Sequence, residues 1–250
     1  VQFWDGRADS LWSQPLFAIE NPLEMASNRT ELVHTIHDDP TLRPQYEAVF
    51  GALPDTSGLP ATAKPGDAAW SALPAATQQQ INRVAANAGK AIEAYLRKNS
   101  TTDSDLDRFL DGDATALTEL AQRGVHQFVA SGCVGCHSGP SFSDEEFHDV
   151  GFPSPIADPG RAGAIAILAA SEFTLAGEFS DEPFAVDTVD ATPGAFRTAP
   201  LRNVSKTAPY GHAGTYRTLG ETLLAHAPTL TDDARGAILA FLLALNGDYP

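Results

Sequence analysis

Cys133-Val134-Gly135-Cys136-His137 contains both cysteines of this 250-residue chain. Two thiols three residues apart, followed directly by a histidine, form the pattern of covalent c-type haem attachment. One helical turn brings both sulfurs to the two vinyl groups of a single porphyrin, and the histidine offers a ring nitrogen to the iron. The pattern therefore predicts a haem c held by Cys133, Cys136 and His137.

Two other interpretations of this pentapeptide are weaker. A redox-active disulfide between Cys133 and Cys136 usually lies at a strand-to-helix turn, whereas residues 113–131 have the pattern of a helix. A structural zinc site takes four ligands, usually with a second cysteine or histidine pair, and the chain has no second cysteine pair. Covalent haem attachment takes place outside the cytoplasm in most bacteria, so the motif also predicts a periplasmic protein.

The charge balance limits the partners of the chain. Lys and Arg number 16 against 32 for Asp and Glu, a formal net charge of −16. This argues against a nucleic-acid partner and fits a basic or dipolar one, such as a small cytochrome, although acidity also serves solubility alone. The hydrophobic fraction of 43% is that of an ordinary globular protein, and apolar stretches such as residues 237–245 are too short to span a bilayer.

Apolar periodicity predicts a mainly α protein with almost no strand and with long loops. Gly, Pro and small polar residues predict loops over residues 51–75 and 138–195, and residues 99–104 are a polar linker. Thr77 and Thr231 are predicted helix caps. The predicted helices cover about 77–96, 114–130, 219–227 and 232–245.

The iron of a haem takes either a sixth ligand, for electron transfer, or an open site, for chemistry. His226 is favoured as the sixth ligand, because it shares a helical face with Leu219 and Leu223 and is expected to point inward with them. A buried imidazole needs a partner, which iron supplies. The other candidates are Met25, His34, His37, His126, His148 and His212.

Several stretches together resemble one family, the bacterial di-haem cytochrome c peroxidases with the related methylamine utilisation protein G (MauG). The resemblance covers most of the chain and implies cytochrome c-like helical domains with two haems c, a peroxidatic haem and an electron-transfer haem. The matching stretches are residues 3–8 (FWDGRA), 20–25 (ENPLEM), 132–140 (GCVGCHSGP), 201–204 (LRNV) and 207–212 (TAPYGH).

The resemblance also implies roles for single residues. The Cys133 motif corresponds to the electron-transfer haem with His137 as proximal ligand. The distal ligand of that haem, Met in typical peroxidases and Tyr in MauG, corresponds by spacing to His226. A histidine departs from both patterns, and two histidine ligands lower the reduction potential relative to His/Met ligation.

Five further residues match functional positions of the family. Trp4 corresponds to a tryptophan between the two haems, and Gln14 and Glu24 to residues on loops above the peroxidatic iron, where a carboxylate moves a proton between the peroxide oxygens. Without the resemblance, Glu24 reads as an ordinary acid at a helix start. Thr207 and Pro209 correspond to residues whose backbone carbonyls bind calcium, a hard cation that suits oxygen ligands.

The resemblance implies a first Cys-x-x-Cys-His motif some tens of residues before Phe3. We therefore expect residues 1–112 to be part of a peroxidatic-haem domain, 113–235 the electron-transfer domain, and 236–250 a helix packing back on the first domain. The second haem is expected on an N-terminal segment absent from the sequence. A separately produced segment, a truncated chain and a natural one-haem variant are the alternatives.

Three functions are compatible with this pattern. The first is reduction of hydrogen peroxide with electrons from a small cytochrome c or cupredoxin, passed through the haem on Cys133, Cys136 and His137. The second is MauG-like oxidation of Trp or Tyr residues on a partner protein. The third is electron transfer by a one-haem carrier without catalysis. A homodimer is compatible with each of them.

Overall fold

The computed structural model describes residues 1–99, 103–184 and 192–247. Within these ranges the chain is mainly helical, as predicted, and no described helix is long and apolar enough to cross a bilayer. The helices are α1 (Gln14–Glu20), α2 (Arg29–Asp38), α3 (Leu42–Phe50), α4 (Ala68–Ser71), α5 (Ala75–Leu96), α6 (Asp105–Leu110), α7 (Glu119–Ala130), α8 (Arg161–Ala170), α9 (Leu219–His226) and α10 (Asp232–Leu243).

The described strands form one small antiparallel ladder. Strand β1 (Phe147–His148) pairs with β2 (Phe196–Arg197), so that Phe147 lies opposite Arg197 and His148 opposite Phe196. Each strand has only two residues, fewer than the strands of an independently stable sheet have. The ladder therefore fastens loops rather than forming a layer of the fold.

The chain divides into two compact units. The first unit contains residues 1–2, 8–98 and 170–186, and the second contains residues 3–7, 99–169 and 187–250, each in its described part. The expected boundaries at residues 112 and 235 differ from this division. Residues 99–112 belong to the second unit because α6 buries Leu106 in that unit's core, and because the Leu106 amide donates to the Ala244 carbonyl at 3.2 Å.

The core of the first unit forms where α1 and α2 pack on the long helix α5. The residues before and within α1 bury Trp12, Leu16 and Ile19 against α5 and against Phe173 and Phe179. A second cluster lies between α2 and α5 and includes Val33, Ile36, Ile81 and Val84. The two aromatic residues explain why residues 170–184, far along the chain, belong to this unit.

The core of the second unit forms around α7 and α10. Gly124 of α7 lies so close to α10 that a Cβ there would overlap the Ala237 carbonyl oxygen and lie 2.7 Å from the Phe241 Cβ. Ile238, Phe241 and Leu242 of α10 are buried in this core. The apolar face of α10 is covered by α7 and α9, and the expectation that residues 236–250 pack back on the first domain stays a prediction.

Several element boundaries differ from the sequence predictions. Helix α5 begins at Ala75 after Pro74, two residues before the predicted cap Thr77. The predicted helix over 114–130 begins at Glu119, because the Thr118 side chain accepts from the Ala121 amide and caps it. The predicted loop over 138–195 contains the ten-residue helix α8, whose Ala-rich sequence is favourable for a helix. Thr231 caps α10, as predicted.

Candidate haem-binding site

The Cys133 motif follows directly on α7. The chain leaves the helix through Gly132, whose φ of 80° is left-handed and therefore favours glycine. Residues 133–135 then form a 3-10 turn in which the Cys136 and His137 amides donate to the Cys133 carbonyl at 3.3 and 3.0 Å. This turn brings the two cysteines to one side of the chain, as haem attachment requires.

The His137 ring is held at Nδ1 and lies beside a cluster of apolar rings. Its Nδ1 lies 3.0 Å from the Phe142 carbonyl oxygen, so Nδ1 carries the proton and Nε2 is left for a metal. Phe128 lies 6.4 Å from the His137 ring, between centroids, and packs on Phe142 and Phe241. Burial in these surroundings lowers the pKa of His137, which favours the neutral imidazole that metals bind.

His226 is the last residue of α9, and its ring lies near that of His137. The two ring centroids are 6.4 Å apart, with an angle of 77° between the planes. Leu219 and Leu223 of the same helix are buried, whereas His226 is exposed, so the prediction of a buried imidazole is wrong here. Phe152 contacts the exposed ring at 5.6 Å between centroids.

The pair of imidazoles fits a six-coordinate haem iron. Imidazole nitrogens bind first-row metals at about 2 Å, so two rings on opposite sides of one iron have centroids about 6 Å apart. The observed 6.4 Å agrees. No hydrogen bond reaches the ring nitrogens of His226 in the part of the chain that the structure describes, which leaves them available. Although the residue as a whole is exposed, desolvation of its imidazole, with His137 nearby, lowers the pKa of His226 and favours its neutral form.

The two alternative interpretations of the cysteine pair are weaker in the structure too. The motif follows a helix, not a strand. Burial raises the pKa of Cys133, and burial with Asp144 raises that of Cys136, whereas redox-active thiols have lowered pKa values. Cys136, Asp144 and His148 have possible metal-ligand atoms within 4.8 Å of one another. Three ligands, two of them paired with each other, fall short of a closed zinc site.

An ion pair that the sequence reasoning missed supports the loop behind the haem motif. The two terminal guanidinium nitrogens of Arg202, Nη1 and Nη2, donate to the Asp107 carboxylate at 2.8 Å, and the Arg202 Nε donates to the Pro140 carbonyl. Asp107 also caps α6 with Ser104. These hydrogen bonds of Arg202 join α6 to the loop that carries Phe142, whose carbonyl oxygen is the acceptor for His137 Nδ1. The LRNV stretch contains Arg202 but gives no sign of this role.

We expect Asp107→Asn to destabilise the protein at neutral pH by about 2 kcal/mol. The Arg202 guanidinium and the Ser104 hydrogen bonds hold the pKa of Asp107 at about 2, below its ordinary value of 3.8. The stabilisation is therefore complete above pH 3.8 and is lost as the pH falls through 2. Urea denaturation from pH 7 to pH 2 should show the wild type and the variant converging at the acid end. A constant difference would contradict this assignment.

Trp4 belongs to the second unit, together with the rest of residues 3–7. Its side chain is 42% exposed, and its carbonyl accepts from the Arg197 amide of β2 at 2.7 Å. The buried Arg161 side chain donates to the Gly6 carbonyl at 2.9 Å. These contacts fix the turn that presents Trp4, and they show that the residue lies in the same unit as the haem motif.

Gln14 and Glu24 belong to the first unit, Gln14 at the start of α1 and Glu24 after its end. Gln14 is the first residue of α1, not part of a loop as the resemblance implied, whereas Glu24 lies in the loop that follows the helix. Glu24 is exposed, and its Oε1 accepts from the Asn21 side-chain amide at 2.7 Å. The structure does not bring the Gln14 and Glu24 side chains into a hydrogen bond among the residues it describes.

Thr207 and Pro209 lie in an exposed segment of the second unit. Two carbonyl oxygens are too few for calcium, which takes six to eight oxygen ligands. His212, from the same stretch, stacks on Phe196 of β2 with the centroids 3.9 Å apart. That stacking accounts for the position of His212 without a metal.

Comparison with known proteins extends the resemblance to the whole chain. The family model described as di-haem cytochrome c peroxidase matches residues 1–115. Cytochrome c551 peroxidase of Pseudomonas aeruginosa is 31% identical over 255 residues, which is 100% of this chain and 62% of the relative. Along its whole length the chain is therefore similar to the di-haem cytochrome c peroxidases. It spans about three fifths of the length of the cytochrome c551 peroxidases of Pseudomonas aeruginosa and Nitrosomonas europaea.

The relatives include MauG proteins as well as peroxidases. MauG of Paracoccus denitrificans is 30% identical over 235 residues, covering 89% of this chain and 52% of the relative. The di-haem peroxidase BthA of Burkholderia thailandensis has a TM-score of 0.71 at 19% identity, covering 98% of this chain and 66% of the other. The latter likeness shows that the fold is shared. The matching family model implies haem c as the cofactor of the peroxidases that the chain resembles.

Proposed function

We propose that the second unit is the electron-transfer part of a di-haem peroxidase that reduces hydrogen peroxide. The observation that carries the proposal is the arrangement of His137 and His226, 6.4 Å apart between ring centroids, beside Cys133 and Cys136. Bound there, a haem c supplies one-electron transfer. With the imidazoles of His137 and His226 both available to its iron, a haem held here would be suited to carrying electrons and not to binding peroxide.

The residues of the second unit hold this centre in one geometry. The Phe142 carbonyl fixes the tautomer and direction of the His137 ring. Phe128, Phe142 and Phe241 exclude water on that side, which lowers the dielectric around the metal ligand. A His137 ring held in one orientation beside these apolar rings reduces the reorganisation that accompanies each electron transfer.

The first unit is proposed to contribute residues to the peroxidatic site. Reduction of hydrogen peroxide consumes two electrons and two protons and yields two waters. Glu24 is the proposed proton-transfer group, with Gln14 as a second polar group near the peroxide. Trp4, which belongs to the second unit, is the proposed electron stepping stone between the haems. The peroxidatic haem itself is proposed to lie on an N-terminal segment outside this sequence.

The setting of this activity is a further part of the proposal. A periplasmic location fits covalent haem attachment, and a small cytochrome c or cupredoxin is the proposed electron donor, since the acidic chain favours a basic or dipolar partner. Calcium bound by the Thr207 and Pro209 carbonyls needs further oxygen ligands from elsewhere. A homodimer is compatible with the proposal.

MauG-like oxidation of Trp or Tyr residues on a partner protein is the second candidate. It is favoured by the similarity to MauG of Paracoccus denitrificans over 89% of the chain. His226 matches the distal ligand of neither branch. The distal ligand therefore does not distinguish peroxide reduction from protein oxidation, and a measurement of turnover with small substrates is needed to do so.

The proposal is tested by steady-state peroxide reduction with the haem-loaded full-length protein and a reduced small cytochrome c. We expect oxidation of two donor molecules for each peroxide consumed. A tryptic peptide containing residues 133–137 should carry one haem by mass. No donor oxidation by protein shown to hold both haems would overturn the peroxidase function, and peroxide-dependent oxidation of a partner protein would then favour the MauG-like one.

A further inference from the structure

The loop after α1, residues 21–27, is fastened to the end of that helix. Pro22 biases the preceding residue away from helical backbone, and Asn21 accordingly has φ −77° and ψ 121°, which ends α1. The Met25 and Ser27 amides donate back to the carbonyls of Ala18 and Ile19 at 3.3 and 2.9 Å. The loop that carries Glu24 therefore has one defined backbone path.

Asn21 is the residue around which this loop turns. Its carbonyl oxygen accepts from the Glu24 and Ala26 amides at 3.0 and 2.9 Å. Its side-chain Oδ1 accepts from the Leu23 amide at 3.0 Å, and its side-chain Nδ2 donates to the Glu24 Oε1 at 2.7 Å. The acceptor end of one amide thus shapes the turn, while the donor end holds the carboxylate.

We infer that Asn21 is a positioning residue that holds the Glu24 carboxylate in place for proton transfer, an inference that rests on the proposed peroxidase function. Glu24 is exposed, and a free glutamate side chain samples several rotamers. A hydrogen bond between the neutral amide and the carboxylate selects one of them. Positioning of this kind matters for rate, because a misplacement of about 1 Å can cost about a hundredfold.

The same chain contains a matched contact without a proposed catalytic role. Seven residues further on, the Asn28 Nδ2 donates to the Glu31 Oε2 at 3.2 Å, again across three residues, and the Asn28 Oδ1 accepts from the Glu31 amide at 3.0 Å. Both glutamates are exposed and both asparagines are partly buried. Asn28 therefore provides a control for the change made at Asn21.

The test is Asn21→Asp in the haem-loaded full-length protein, with Asn28→Asp as its control. The introduced carboxylate can still accept from the Leu23 amide, so the turn is retained, but it has no donor and repels the Glu24 carboxylate. We expect the kcat for peroxide to fall by about tenfold or more with the KM nearly unchanged. Asn28→Asp should leave both constants near the wild-type values.

A crystal structure of the Asn21→Asp protein gives a readout that does not depend on activity. We expect the backbone of residues 21–27 to superpose on that of the wild type, while the Glu24 carboxylate turns away from residue 21. An unmoved carboxylate would overturn the inference. So would wild-type kcat in Asn21→Asp, or an equal loss of kcat in Asn28→Asp.

Failure of the proposed function gives a different result from failure of the inference. If the wild type and both variants lack peroxide turnover, the peroxidase function fails, and the positioning role fails with it. If the wild type and Asn21→Asp turn over equally, the peroxidase function stands and only the role of Asn21 is overturned.

Discussion

Replacement of His226 by methionine should raise the reduction potential of the haem on Cys133 and Cys136 by on the order of 0.1 V. A thioether ligand stabilises the reduced iron relative to a second imidazole, and the end of α9 presents residue 226 next to the His137 ring. A potentiometric titration followed by the visible spectrum of the reduced protein measures the shift. His226→Ala should leave an open axial position and a high-spin spectrum.

His126→Met is the matched control for this replacement. His126 lies on α7 in the same unit and is exposed, so the same change there should leave both the potential and the spectrum as in the wild type. If His226→Met also left them unchanged, the assignment of the distal ligand would be wrong. The haem would then take another sixth ligand or none.

Gly124→Ala should destabilise the second unit by about 3 kcal/mol, the upper end of what overpacking usually costs. The added Cβ would meet the Ala237 carbonyl oxygen and the Phe241 Cβ. The first is a backbone atom and the second belongs to a core side chain, so neither can move away without separating α7 from α10. Because α7 leads into the haem motif, we also expect less haem to be incorporated. Chemical denaturation and the haem-to-protein absorbance ratio measure the two effects.

Gly236→Ala tests the same substitution on the facing helix. Gly236 lies within α10, and a Cβ added there would have no neighbouring atom within 4 Å among the described residues. Alanine is favoured over glycine in a helix by up to about 1 kcal/mol, so this variant should be slightly more stable than the wild type. Equal stability of the Gly124→Ala and Gly236→Ala proteins would contradict the close packing of α7 on α10.

The sequence was sufficient for the mainly α class and for the haem motif. Both depend on local patterns: cysteine spacing for the motif, and apolar periodicity and caps such as Thr231 for the helices. The position of His226 beside His137 was also predicted, from a helical face together with the family spacing. Its exposure was not predicted, because a shared face with Leu219 and Leu223 does not determine how the last residue of a helix meets solvent.

Contacts between distant residues could not be predicted from one sequence. The packing of α10 on α7 depends on Gly124, which reads as an ordinary weak point in a helix until its neighbour is known. The pairing of Arg202 with Asp107 joins residues 95 positions apart. The inclusion of residues 170–184 in the first unit depends on Phe173 and Phe179 meeting α1 and α5. In each case the partner is set by the tertiary fold and not by local pattern.

Ligation of the haem on Cys133 and Cys136 by both His137 and His226 is the feature on which the proposed function depends most. Low-temperature EPR of the ferric haem-loaded protein tests it most directly, because the g-values of a low-spin haem depend on its axial ligands. We expect a low-spin signal of the bis-histidine type that is absent from His226→Ala. A His/Met-type signal, or a bis-histidine signal that persists in His226→Ala, would contradict this ligation.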